Sequence, residues 1–178
     1  MKVFFAILCY SLLASLTLAV NYDDLLCKAA FQGDLGQVVS LLSRGANIEG
    51  RDITNGWTPL HSAAHGGDVS VIRLLLDRGA NIESRTLKLD TPLIIAGFAG
   101  RAQAVTELLR RGAQIEAKNA DGSTALIAAS YTGQLDAVKA LVDQGAKVGA
   151  TNEAGTTAYD AATYSKYTKT ADYLKGKQ

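Results

Sequence analysis

GWTPLHSAAHGGDVSVIRLLLDRGANIE, residues 56–83, holds two helical patterns separated by a glycine pair. Thr58 supplies a hydroxyl that can cap a helix, and Pro59 follows at the first helical position, where its missing N–H is harmless. Leu60, Ala63 and Ala64 then fall at helical spacing, the alanines small enough for a neighbouring element to approach closely. Gly67 can take the left-handed conformation that ends a helix. Beyond it Val71, Ile72, Leu75 and Leu76 form a second apolar stripe, closed by Gly79, and Ala80 and Ile82 lead into a turn. Neither helix can bury its stripe alone, so the segment predicts a stack of like units.

The rest of the chain supplies them. Gly-Ala recurs at Gly45, Gly79, Gly112 and Gly145, with spacings of 34, 33 and 33, and Thr58, Thr91, Thr124 and Thr157 are each 33 apart. Two further registers run through Gly33, Gly67, Gly100 and Gly133 and through Ala29, Ala63, Ala96, Ala129 and Ala162. The second stripe returns as Ala104, Val105, Leu108, Leu109 and as Ala137, Val138, Leu141, Val142. On these residues the chain resembles the ankyrin repeat family, whose TPLHxA hallmark is intact at Thr58 to Ala63. Eroded forms follow as TPLIIAG at 91–97, TALIAAS at 124–130 and TAYDAAT at 157–163, and the first unit, LLCKAAFQGD, lacks the Thr-Pro opening. The resemblance covers about residues 22–175. It implies an all-α solenoid of about five helix-turn-helix units with β-hairpin-like loops, at approximately 22–51, 52–85, 86–118, 119–151 and 152–178. In that reading Thr58, Pro59, Leu60, His61, Thr91, Pro92, Gly67, Gly100 and Gly133 are structural motif positions. Degenerate end units suit a solenoid, whose terminal repeats face water on one side. Two departures stand out: Ala125 replaces the proline, and Leu89 replaces a glycine present at Gly56, Gly122 and Gly155. The second predicts a looser turn, with Leu87 and Leu89 projecting from its tip.

Residues 1–19 have a different character. Met1 and Lys2 give a positive start, Val3 to Leu16 is almost wholly apolar, and Thr17-Leu18-Ala19 places small residues at the spacing of a secretory cleavage site. Cleavage is expected after Ala19, leaving residues 20–178 as the repeat domain, exported to the periplasm or the extracellular space and free of the membrane. A membrane-tethered adaptor that keeps this segment is the alternative, although the run falls short of the roughly 20 apolar residues of a span. Neither Cys9 nor Cys27 follows the small residue of a lipoprotein leader. Removal of Cys9 leaves Cys27 as the sole thiol, so no internal disulfide is expected and stability must come from packing.

The composition narrows the function. With 18 Lys and Arg against 17 Asp and Glu there is no basic surplus, which argues against nucleic acid, and 48% hydrophobic with 20% charged residues is globular. His61 and His65 lie i, i+4 on one helix, half of a zinc-like arrangement, but the Glu of HExxH and a third ligand are missing. The resemblance gives His61 a role in hydrogen bonding within the turn. Cys27 takes the equivalent place in the first unit and reads as a buried structural thiol. The glycines form no phosphate-binding loop, and GxSxG does not occur. Glu49, Glu83 and Glu116 recur once per unit, a periodicity that suits solvated loops and hairpin geometry better than a single acid–base pair. No catalytic residue, metal or cofactor is expected; a secreted enzyme or metal-dependent factor would need a third ligand near the histidines.

One column outside the core is rich in rings. Phe31, His65, Phe98 and Tyr131 stand two residues before the glycine that ends each first helix, and Tyr164 fills the place in the last unit. The resemblance implies that this end faces a concave groove, the usual recognition surface together with the hairpin tips, where Trp57 is expected. Either the rings bind a partner, or each packs on its neighbour repeat; aromatic residues do both. The function expected is non-catalytic binding of a protein partner through groove and tips.

Overall fold

The structure, a computed structural model, describes residues 22–177. The expected leader and its expected cleavage after Ala19 therefore lie outside the described residues. Ten helices follow as five pairs: α1 (Tyr22–Gln32) with α2 (Leu35–Ser43), α3 (Pro59–Gly66) with α4 (Val69–Asp77), α5 (Pro92–Phe98) with α6 (Ala102–Arg110), α7 (Ala125–Tyr131) with α8 (Leu135–Asp143), and α9 (Ala158–Tyr164) with α10 (Thr168–Lys175). Odd-numbered helices pack in one row and even-numbered helices in a second, each touching only near neighbours. Among the described residues the only bridge is an isolated antiparallel one, Thr151 with Thr157. This is the all-α solenoid that the repeats predict.

The helix starts follow from local chemistry. Thr91, Thr124 and Thr157 accept, through their hydroxyls, the N–H groups of Ile94, Ile127 and Asp160, and Asp34 and Asp68 cap α2 and α4 in the same way. Each such cap contributes about 1 kcal/mol. Loss of proline at Ala125 leaves the Thr124 cap in place, and α7 starts there regardless. Gly67 ends α3 with φ 91°, its N–H reaching the Ala63 carbonyl at 2.8 Å.

Burial follows the stripes. Val71, Ile72 and Leu75, then Ala104, Val105 and Leu108, then Ala137, Val138 and Leu141 are all fully buried, whereas Leu76, Leu109 and Val142 pack at the margin. Close approach of the odd row depends on Gly66 and Gly97: a Cβ on the first would collide with the Phe31 carbonyl oxygen, and one on the second would lie 2.8 Å from that of Ala125.

Two ladders bind each unit to the next. Glu49, Glu83 and Glu116 accept the backbone N–H of Asn81, Gln114 and Lys147, each at 2.8 Å, and Asp23 does the same for Asn47 at 2.7 Å. The periodic carboxylates thus have a more definite role than loop solvation. Along the hairpins, Arg51 donates to the Arg85 carbonyl at 2.6 Å, Arg85 to that of Lys118 at 2.7 Å, and Lys118 to that of Thr151 at 2.8 Å.

The looser turn expected at Leu89 is not found. Thr86 N–H bonds the Asp90 carbonyl and Leu89 N–H that of Thr86, both at 3.0 Å, matching the bonds at Asn119, Gly122 and Ser123. Leucine keeps the glycine geometry at φ 60°. That left-handed conformation costs a β-carbon residue roughly 1–2 kcal/mol, which the conserved hydrogen bonds of the hairpin offset. Leu87 and Leu89 do project into solvent.

Candidate functional site

The C-terminal ends of the odd helices and the hairpins beside them enclose a trough. Its central recess, 380 Å³, is walled by Trp57, His65, Leu87, Ile94, Ile95 and Phe98. A larger recess of 890 Å³ continues it past Phe98 to Tyr131 and Tyr164, with Asp121, Glu153 and Asp160 on its walls. On the other side a recess of 290 Å³ takes in Phe31 together with Trp57 and His65. Trp57 and His65 are shared by the first and third of these, and Lys88, Phe98 and Asn119 by the first and second. All six side chains singled out in the sequence therefore line one continuous surface.

Within it the column divides. Phe31 stacks on His65 with ring centroids 5.4 Å apart, and Trp57 tilts against the same imidazole at 5.2 Å. Trp57 does not crown its hairpin, as its sequence position suggested; it is half-buried at the hairpin base, where its carbonyl pairs with Asp52 N–H. Phe98, Tyr131 and Tyr164 meet no other ring among the described residues, and they are 47%, 54% and 81% exposed. The hairpin crown carries instead Ile53, 86% exposed, which sequence reasoning passed over. Its signal was the 34-residue spacing: Asp52 pairs across to Trp57 over five residues, Thr86 to Asp90 over four, and the extra residue lengthens that tip.

The two histidines differ. His61 is fully buried; its Nε2 faces the Asp90 carbonyl at 3.1 Å and its Nδ1 the Thr58 N–H at 3.2 Å. A carbonyl only accepts and an amide N–H only donates, so the proton sits on Nε2 and Nδ1 accepts. Burial, more than any other influence, pushes its pKa down to about 4. With both ring nitrogens committed, His61 is not offered to a metal. His65 keeps a buried Nδ1 without a hydrogen-bond partner, its carbonyl takes the Arg101 guanidinium at 2.9 Å, and burial followed by the Arg101 charge lowers its pKa. Among the described residues no three His, Cys, Asp or Glu side chains gather as a cation would require, and no helix is long and apolar enough to cross a membrane.

Cys27 reproduces the His61 bond in the first unit, its Sγ donating to the Trp57 carbonyl at 3.5 Å, as His61 donates to Asp90. Burial pushes the thiol up to about 12, which keeps it protonated and inert. A feature that sequence reasoning passed over is Glu107, 4% exposed on the even row and held by Arg73 at 3.1 Å and by Arg110, three residues on, at 2.6 Å. Those hydrogen bonds lower its pKa to about 2. It lies on the even-numbered row and takes no part in the trough.

A family model for ankyrin repeats, in three copies, matches residues 26–119 and again residues 98–178. Comparison with curated proteins gives no match.

Proposed function

The chain belongs to the ankyrin repeat family, and from that premise we propose that it is an exported, non-catalytic module that binds a protein partner along the trough and the hairpin tips. Ankyrin repeats are generally protein–protein interaction modules. The observation that carries the reading is the open end of the aromatic column. Inter-repeat filler would be buried like Leu75 or Leu108, whereas Phe98, Tyr131 and Tyr164 stand in water beside a recess large enough for side chains. Exposed aromatic rings on a rigid scaffold lose little entropy on binding, which makes them good anchors.

Replacing Phe98 and Tyr131 together by Ala tests this. The double variant is expected to weaken a partner isolated by affinity capture by at least about 2 kcal/mol, with Trp57→Ala adding to the loss, while the melting temperature moves by only a few degrees. Affinity preserved alongside a large fall in melting temperature would return the rings to a packing role.

Export to the periplasm or the extracellular space is part of the proposal. It is supported by the positive start, the apolar run Val3 to Leu16 and the Thr17-Leu18-Ala19 site. Mass spectrometry of the exported protein should find Val20 at the N-terminus. Recovery of the whole chain, Met1 to Gln178, from membranes would favour the tethered adaptor instead.

A further inference from the structure

We propose that the segment bound in the trough is basic as well as apolar, with an Arg or Lys side chain of the partner seated between Tyr131 and Tyr164 under the carboxylates of Asp121, Glu153 and Asp160. This rests on the trough being the binding surface. It starts from a segregation of charge that the balanced total conceals. The chain has 18 basic and 17 acidic side chains, yet the three recesses are lined by Asp24, Asp52, Asp90, Asp121, Glu153 and Asp160 against only Lys28 and Lys88.

Apart from Lys28 and Lys88, the cations of the hairpins and of the helix-end rim reach backbone carbonyls. Arg51, Arg85 and Lys118 run along the hairpins and donate to carbonyls of the following hairpin, and Arg101 donates to the His65 carbonyl at the helix-end rim. The ion pairs among the described residues, Arg73 and Arg110 with Glu107 and Arg111 with Asp77, all belong to the even row. Asp121 and Glu153 are exposed on adjacent hairpins, whose backbones are joined by Glu153 N–H to the Asp121 carbonyl at 3.1 Å, and both line the larger recess. Asp160 lines the same recess. The Thr157 N–H and hydroxyl grip that carboxylate at 2.9 and 2.6 Å, which fixes it in position and holds its pKa down.

Ring faces complete the case. The negative quadrupole of an exposed phenol attracts a cation, and a carboxylate within reach adds to it without competing for the same surface. Lys88 is the single positive group among the residues lining this recess. The central recess, walled by Leu87, Ile94 and Ile95, suits the apolar side chains of the same segment. An acidic segment would place like charges against Asp121 and Glu153, so the trough selects by repulsion as well as attraction.

A random library of linear 15-residue peptides, selected on this protein and then titrated against it, tests the proposal, with fluorescence of Trp57, the only tryptophan, as a readout of occupancy. Selected peptides are expected to carry a surplus of Arg and Lys, to bind about tenfold more weakly to the double variant Asp121→Asn, Glu153→Gln, and to weaken further as salt rises. Both residues are exposed, so that variant keeps its fold. Peptides without a cationic surplus, or indifferent to the carboxylate variant yet lost on Phe98→Ala with Tyr131→Ala, overturn the charge inference and leave the trough standing. Peptides that ignore both variants overturn the trough itself. A selection that yields no binder also counts against the proposal.

Discussion

Leu108→Ala is expected to lower the unfolding free energy by about 2–5 kcal/mol, the range for a buried leucine cut back to a methyl group. Leu108 is fully buried in the last turn of α6, which touches α4 on one side and α8 on the other. Its carbonyl also holds the turn after the helix, accepting Ala113 N–H at 3.0 Å. In a solenoid each unit is stabilised chiefly by its neighbours, so a void here weakens two interfaces at once. Hydrogen exchange should therefore rise in α4 and α8 as well as in α6. The control is Leu87→Ala: that side chain is 76% exposed on a hairpin, and its loss should cost within about 0.5 kcal/mol. Urea titrations of both variants make the comparison. Similar losses at Leu108 and Leu87, or faster exchange confined to α6, would contradict a core built from nearest-neighbour interfaces.

The repeat was legible in the sequence because its period is carried by residues whose local chemistry marks an element boundary. Thr91, Thr124 and Thr157 announce helix starts through their hydroxyls, and Gly67 and Gly79 announce ends through φ near 90°. What escaped depends on the register of one unit over the next. Trp57 meets an imidazole eight residues away, and the same ring stacks on Phe31 from a full unit earlier. Glu49 finds Asn81 N–H across 32 residues, and Glu107 finds Arg73 across 34. A repeat of 33 residues shows that units stack; it does not say by how much each turns on the last, and that rotation decides which side chains meet. Leu89 was misjudged for the opposite reason: its local preference is real, but the hairpin bonds of Thr86, with the neighbours above and below, over-determine the conformation.

Stability is expected to fall as pH drops from 7 towards 5, and replacing His61 is expected to remove most of that slope. The folded protein holds His61 neutral, its pKa displaced from 6.5 down to about 4, foremost by burial. The nearby Arg51 lowers it further, whereas the Asp90 carbonyl, the Ser84 hydrogen bond and the Asp52 charge oppose the shift. Between those two values the unfolded chain binds a proton that the folded chain refuses, so unfolding gains with every step towards acid. The contribution is fully present above about pH 6.5 and is lost by about pH 4, a total on the order of 3 kcal/mol. Burial explains the refusal: a second proton would sit on Nδ1, which accepts the Thr58 N–H at 3.2 Å and faces the Thr58 hydroxyl at 2.8 Å, and the added charge would be cut off from water. Ile94 and Ile127 occupy the same position in the next two units, which makes His61→Ile a substitution the fold already tolerates. The variant forfeits the bonds to Thr58 and Asp90, and its stability at pH 7 can fall on that account, but the slope is independent of the starting value. His65, also displaced downward, leaves a smaller residual slope of the same sign. Measurements should not go below pH 5, because Glu107 and Asp160 have lowered pKa values whose stabilisation is lost only further into acid. Urea unfolding at pH 7, 6 and 5 decides the matter: converging curves place the sensitivity at His61, and parallel curves for parent and variant place it elsewhere.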